Sequence, residues 1–344
     1  MKKYLLSETG NFYKANLHCH TNLSDGTLTP ETVKGAYMAH GYSIVAYTDH
    51  DILLDHSDLT DKRFLALNAM ELEVSEKSDI ANAEGRVKRT CHMCLVALEP
   101  DNLTQVCYHR EKYLFGNAKN LRDQLKIDES APDYERVYSA EGISDMMNIA
   151  KNAGFFVTYN HPAWSCETSE QYCHYEGMHA MEICNYSCCV DGFEDYNPRA
   201  YDEILRTGKR IYCIGADDNH NGRPLTSPLN DSFGAYTMIK AEALEYKAVT
   251  NALLAGNFYA SQGPEIKELW YEDGKVYISS SKASKIYMNS GMRHAVCHAA
   301  NAGEYITETS FDIKEDDLYV RFTVEDEKGL HANTNAYFLD ELMK

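Results

Sequence analysis

The stretch NLHCHTNLSDG, residues 16–26, places His18, His20 and Asp25 within eight positions. Imidazole nitrogens and a carboxylate at that spacing form a donor set for a transition metal. Donors of the same two kinds recur along the chain: His50 in YTDHD, Glu71 in AMELEV, His92 in CHMCLVAL, His161 in NHP, and Asp218 and His220 in DDNH. Together they make six imidazoles and three carboxylates. An isolated HxH pair is more often structural than ligating; it is the whole set that points to metal. It suffices for two or three divalent metal ions, and imidazoles with bridging carboxylates suit Zn, Mn or Fe. Closely spaced ions clamp an oxyanion and generate hydroxide at neutral pH, which is what hydrolysis requires.

The elements around these donors have a regular grammar. In TLTPETVKGAYMAHG, Thr29 is an N-cap, Pro30 takes the first helical position and Gly41 stops the helix. The short β-branched run SIVAYT then leads into Asp49-His50-Asp51. The helix SAEGISDMMNIAKNAG precedes the strand FFVTYN and His161, and the helix NPRAYDEILRTG precedes KRIYCIGA and DDNH. Strands FYKANLHCH, FLALNAMELEV and HAMEICNYS also carry polar residues at or near their ends. Helices alternating with strands, with metal-type residues at strand C-termini, predict an α/β barrel of TIM type with its chemistry on the C-terminal face.

Two stretches depart from this pattern. Residues 100–139 are polar and Tyr-rich without a clean strand, and read as an insertion with some helix in the position of a lid. From Pro264 the texture changes to short alternating strands and turns, predicting a small β-sandwich-like domain. The expected division is a barrel over residues 1–263 and a β domain over 264–344.

The 344 residues carry 52 acidic and 33 basic side chains, a net charge of −19. Such a field repels phosphate backbones, so nucleic acid is not expected as a bulk partner. A local anion site can still exist where metal ions reverse the sign. No stretch approaches the length of a membrane span, and MKKYLLS loses its apolar run too soon for a secretory signal. Eleven cysteines, two of them adjacent at Cys188–Cys189, fit a disulfide framework poorly, so a cytoplasmic protein is expected. Cys91 and Cys94 lack a second CxxC pair and read as small core residues. The oligomeric state is left open.

LHCHTNLSDG, YTDHD, AMELEV, CHMCLVAL, NHP and DDNH resemble, in order, the motifs of the PHP (polymerase and histidinol phosphatase) family over roughly residues 12–225. The resemblance implies a distorted seven-stranded βα barrel with a two- or three-metal site. LLAGNFYASQGPEI and HANTNAYFLDEL are similar to a branch of PHP hydrolases with a small β domain after the barrel. By motif, His18, His20, Glu71 and Asp218 would hold a first ion. Glu71 would bridge to a second, held also by His92 and His161. Asp25, His50 and His220 would complete a third position. The family's usual glycine two residues before the bridging glutamate is Ala69 here. Glu73 would point the same way as Glu71 on a strand, and Asp217 is a rival of Asp218.

The implied reaction is in-line attack on phosphorus by a hydroxide bridging two ions, in a small phosphorylated substrate. His220 and His50 are candidates to protonate the leaving oxygen, and Arg223 to grip a phosphate oxygen, although a surface cation is an equal reading of Arg223. An alternative keeps the ions and changes the bond to a carboxylic ester, amide or carbamate. A third reading is a non-catalytic metal-binding module, against which the complete donor set argues. Trp164 reads equally as pocket wall or core. Glu182 and Asn185 read as structural hydrogen-bonders or as outer partners of a ligating imidazole.

Overall fold

In the computed structural model, which describes residues 2–77 and 86–343, the chain opens with β1 (Lys3–Tyr4), β2 (Asn11–Asn16), α1 (Pro30–Ala39), β3 (Ile44–Tyr47), β4 (Leu65–Lys77) and β5 (Val87–Ala97). There follow α2 (Ala140–Asn152), β6 (Phe155–Tyr159), α3 (Ser169–Tyr172), β7 (Ala180–Asn185), α4 (Tyr186–Val190), α5 (Pro198–Arg206), β8 (Tyr212–Ala216), β9 (Tyr236–Ala241), α6 (Tyr246–Leu254) and β10 (Phe258–Ser261). The C-terminal part holds β11 (Ile266–Glu272), β12 (Lys275–Ala283), β13 (Lys285–Ser290), β14 (Ala295–Ala299), β15 (Ile306–Asp312), β16 (Tyr319–Glu325), β17 (His331–Thr334), β18 (Tyr337–Phe338) and α7 (Leu339–Leu342). The helix starts are those the caps predict. Thr29 accepts from the Thr32 amide with Pro30 at the first turn, and Ser139 accepts from the Gly142 amide at 3.0 Å.

One fourteen-stranded sheet runs β14-β13-β16-β17-β10-β9-β2-β3-β4-β5-β6-β7-β8, with β18 beside β16. Pairs β2–β3, β3–β4, β6–β7 and β7–β8 are parallel, as alternating helices and strands require. The expected alternation breaks at β4 and β5, which pair antiparallel with Glu73 opposite His92. Only residues 78–86 separate the two strands, fewer than the dozen or so that a parallel crossover needs. Glu71 and His92 therefore sit within long strands rather than at strand ends.

Strand pairing leaves the sheet open between β8 and β9. The contact there is made by a side chain: the Thr237 hydroxyl donates to Gly215 O at 2.9 Å and accepts from Gly215 N at 3.2 Å. A Cβ at Gly215 would lie 2.9 Å from Tyr236 O, so this approach requires glycine. Beyond the strands the gap narrows further, with a parallel bridge Cys19–Asn219 and amide bonds from His20 N to Asn219 O (3.0 Å) and Asp218 N to His18 O (2.9 Å). One buried apolar cluster draws on every strand from β2 to β10 and on Val249 and Leu253 of α6. These strands turn one face to a shared interior, each large aliphatic side chain there contributing roughly 1.5–3 kcal/mol.

The large sheet continues past position 264, since β17 pairs with β10 and β16 with β13. A second sheet, β1-β11-β12-β15, packs against it through Leu269, Ile278, Phe311, Phe322 and Val324. β1 comes from the N-terminus, so the first residues of the chain are tied to the last third.

Candidate metal centre

Glu71 is the hub of the site. Its Oε1 lies 3.1 Å from His18 Nε2, 3.2 Å from His92 Nδ1 and 3.4 Å from His161 Nε2. Its Oε2 lies 3.3 Å from both His20 Nε2 and His50 Nδ1. Asp218 Oδ1 is 3.1 Å from His18 Nε2 and from His20 Nε2, and those two nitrogens are 3.0 Å apart. Farther out, Asp25 meets His220 Nε2 at 3.5 Å, His20 Nδ1 at 3.6 Å and His50 Nε2 at 3.7 Å. Glu71, Asp218 and all the imidazoles except that of His220 are buried. Donor-to-donor spacings of about 3.0–3.4 Å are what bonds of about 2.1 Å to a common ion produce. The donors fall into four overlapping groups: His18–His20–Asp218, His18–Glu71–His161, His50–Glu71–His92 and His20–Asp25–His50–His220.

Local structure explains how these side chains converge. His18 and His20 follow β2 with their rings on one side, and Gly26 lets the LSDG turn fold back: a Cβ there would lie 2.8 Å from the His20 carbonyl. Asp49 fixes the same loop by accepting from Thr21 N, Thr21 Oγ1 and Ser24 Oγ at 2.6–2.8 Å. His50 is bridged to Glu71 as an extra step of the parallel ladder. Asp51, His161 and Asp218 all adopt positive φ, at 61°, 27° and 55°. Backbone held there costs on the order of 1–3 kcal/mol per residue, and two of these three residues, His161 and Asp218, are donors.

An outer layer of polar groups orients the donors. Glu182 accepts from His18 Nδ1 at 2.7 Å, from the His161 amide at 2.9 Å and from Asn185 Nδ2 at 2.9 Å. Asn185 also donates to Asp218 Oδ2 (3.1 Å), and Asn160 donates to Glu71 Oε1 (2.7 Å). Glu73 does not compete with Glu71 for the centre; its carboxylate stands 3.3 Å from the outer nitrogen of His92. Asp217 likewise points away from the donors and accepts from the amides of Phe233, Gly234 and Ala235 and from Tyr37 Oη.

The charges are mutually dependent. Burial would lower His20, but hydrogen bonds with Asp218 and Glu71 and their charges hold it up at about 10. Burial opposes His92 in the same way, and the Glu71 charge brings it to about 10. His50 goes the other way, to about 3, through burial and the neighbouring His20 charge. Burial disfavours the Glu71 carboxylate, yet His18, His92 and His50 hold it well below the usual range, and Asp218 is lowered in the same manner by His18 and His20. Two buried nitrogens, His20 Nδ1 and His50 Nδ1, have no hydrogen-bond partner. Orphaned imidazole nitrogens inside a box of ionised carboxylates are a cation's donor set, and the residues present fit divalent metal.

The centre opens into a cavity of about 390 Å³. Phe115, from the 100–139 segment, packs on His50 with ring centroids 5.0 Å apart, and Trp164 packs on His161 and His92 at 4.9 and 5.3 Å. The same segment supplies Arg136, whose guanidinium meets Asp51 at 2.6 Å where both are buried. All nine donors expected from the sequence are thus brought together. Arg223 is not: it is exposed and outside the cavity lining. Phe115 and Arg136 had no signal in the sequence beyond lying in a Tyr-rich insertion. All eleven cysteines are free, and no helix among the described residues is long and apolar enough to cross a membrane.

No family profile matches the sequence, and neither does any curated protein. Among solved structures the chain is similar to a two-domain protein from Bacteroides vulgatus containing a predicted PHP-like metal-dependent phosphoesterase, at 14% identity and TM-score 0.43, over 98% of this chain and 97% of that one. A candidate metal-dependent phosphoesterase from Bifidobacterium adolescentis matches at 16% identity and TM-score 0.40, over 64% and 93%. An amidohydrolase from Chromobacterium violaceum, with bound sulfate and no metal, matches at 18% identity and TM-score 0.39, over 60% and 87%.

Proposed function

We propose that this chain is a metal-dependent hydrolase of PHP type that cleaves a phosphoester in a small molecule, on a barrel left open between β8 and β9. The observation that carries the reading is the Glu71 carboxylate, buried with five imidazole nitrogens within 3.4 Å, one of which, His50 Nδ1, is orphaned, as is His20 Nδ1 on a neighbouring ring. His18, His20, Glu71 and Asp218 would hold one divalent ion and Glu71 with His92 and His161 a second. Asp25, His50 and His220 would hold a third, for two or three in all. When bound, such ions acidify a coordinated water and neutralise the charge that develops on phosphoryl oxygens.

The chain's own groups do the rest. Glu182 fixes the His18 ring through Nδ1, leaving Nε2 free to face the centre. When the third position is empty, His220, one-third exposed at the cavity edge and held by the Asp218 carbonyl through Nδ1, can present a proton at Nε2 to a leaving oxygen. Phe115 and Trp164 narrow the mouth and exclude water, and the 100–139 segment serves as a lid.

A second reading, hydrolysis of a carboxylic ester, amide or carbamate, draws on the cavity wall, which among the described residues contains no Lys or Arg. The test is turnover by Mn-loaded protein of p-nitrophenyl phosphate, bis-p-nitrophenyl phosphate and p-nitrophenyl acetate, with and without chelator. Chelator-sensitive phosphate release above the acetate rate is the expected result. Acetate cleavage alone would replace the first reading with the second.

A further inference from the structure

The composition of the cavity wall bears on the part of the substrate that does not react. Of the residues that line it, Asp25, His50, Glu71, His92, His161, Asp218 and His220 belong to the donor groups. The wall that remains has two aromatic rings, Phe115 and Trp164, two carboxylates, Glu73 and Asp191, and the small residues Ser187 and Cys188. Among the described residues it has no lysine and no arginine. Arg136 is spent on Asp51, the Glu73 carbonyl and the Cys107 carbonyl. A second phosphate or a carboxylate on the substrate, reaching beyond the metal centre, would thus meet Glu73 and Asp191 with no lysine or arginine of the lining beside it.

The rings are placed to grip something flat. His50 and His92 stand edge to face with centroids 5.6 Å apart; Phe115 packs on the first and Trp164 on the second. Trp164 keeps about a third of its surface exposed (36%), so part of the ring remains free for a ligand. Planar apolar groups gain both burial and stacking on such rings. A positive group gains from the ring faces and from the two carboxylates.

We infer that Phe115 and Trp164, with Glu73 and Asp191, select a substrate whose non-reacting part is a planar apolar group carrying no second anion, neutral or positively charged. The inference builds on the phosphoester reading and narrows it, setting aside sugar bisphosphates and nucleotides with further phosphates.

Binding of phosphonates to the Zn-loaded protein by calorimetry tests it without turnover. Phenylphosphonate is expected to bind about tenfold more tightly than methylphosphonate. 4-(Aminomethyl)phenylphosphonate should bind at least as tightly as phenylphosphonate, and 4-carboxyphenylphosphonate about tenfold more weakly. Trp164→Ala and Phe115→Ala should each shrink the phenyl-to-methyl ratio while methylphosphonate still binds, which shows that the centre is intact. Asp191→Asn should narrow the gap between the carboxyl and aminomethyl compounds. Equal binding of phenyl- and methylphosphonate, equal binding of the carboxyl compound, or no binding of any of them overturns the inference. Phenyl phosphate and phenyl acetate turnover, measured on the same preparation, tests the bond separately. The predicted ranking without phosphate release would keep the wall assignment and remove the phosphoesterase; phosphate release without the ranking would do the reverse.

Discussion

Exchanging Glu71 for Gln keeps the shape of the side chain and removes the one charge that both of its oxygens share among five imidazoles. A hydrogen bond or ion contact to a charged group is worth roughly 1.5–3 kcal/mol, so losing the charge at two oxygens costs the loaded site roughly 3–6 kcal/mol. At about 1.4 kcal/mol per tenfold, joint metal affinity should fall by about 10² to 10⁴. The assay is metals per chain by elemental analysis after desalting, with hydrolysis of bis-p-nitrophenyl phosphate measured on the same sample. Thermal melting of the metal-free forms checks that the variant folds. Glu73→Gln is the control, since Glu73 touches only the outer side of His92, and it should keep most of its metal. Full metal and full activity in Glu71→Gln would rule out Glu71 as the shared ligand, and loss in Glu73→Gln alone would move the centre to that residue.

Further outcomes follow from the outer layer and the charges. Glu182→Gln should weaken metal binding about 10- to 100-fold with the fold retained, because it loosens the His18 ring; competition with a chromogenic chelator reads this. Asp217→Asn should lower stability by about 1–3 kcal/mol in urea melts, from amides left poorly paired, yet leave metal content near normal, whereas Asp218→Asn should do the opposite. His20 and His92 are raised to about 10 from near 6.5 in the metal-free protein. Their contribution to metal-free stability is therefore full below pH 6.5 and lost as the pH rises through 10. Metal must displace those protons, so uptake should release protons and apparent affinity should climb across that window, as proton-release calorimetry at pH 7 and pH 9 would show.

The donors were legible in the sequence because each lies beside an apolar strand whose type is set by local composition. His18 and His20 after β2, His50 after β3 and His161 after β6 fall at the expected strand ends, and the caps at Thr29 and Ser139 place α1 and α2. Glu71 and His92 stand out in the sequence although their strands run past them, since an acidic residue or a histidine inside an apolar strand is conspicuous without knowledge of strand direction. The antiparallel β4–β5 pair was hidden by the βα rhythm on either side, and only the short connection of residues 78–86 pointed to it. The motifs favour Glu71 and Asp218 and leave Glu73 and Asp217 as rivals, which only the folded geometry separates: Glu73 stands at the outer nitrogen of His92, and Asp217 is taken by three amides. The roles of Phe115 and Arg136 depend on how an irregular segment folds back onto the mouth, which no periodicity encodes. The run of the large sheet through β10 and β17 is likewise a long-range pairing with no local signature.

The most direct test is a crystal of the Mn-loaded protein examined by anomalous scattering. Two or more peaks should flank the Glu71 carboxylate, with ring nitrogens of His18, His20, His92 and His161 at roughly 2.0–2.3 Å from them. No peak at Glu71 in protein that elemental analysis shows to be loaded, or ions bound only elsewhere on the chain, would contradict this.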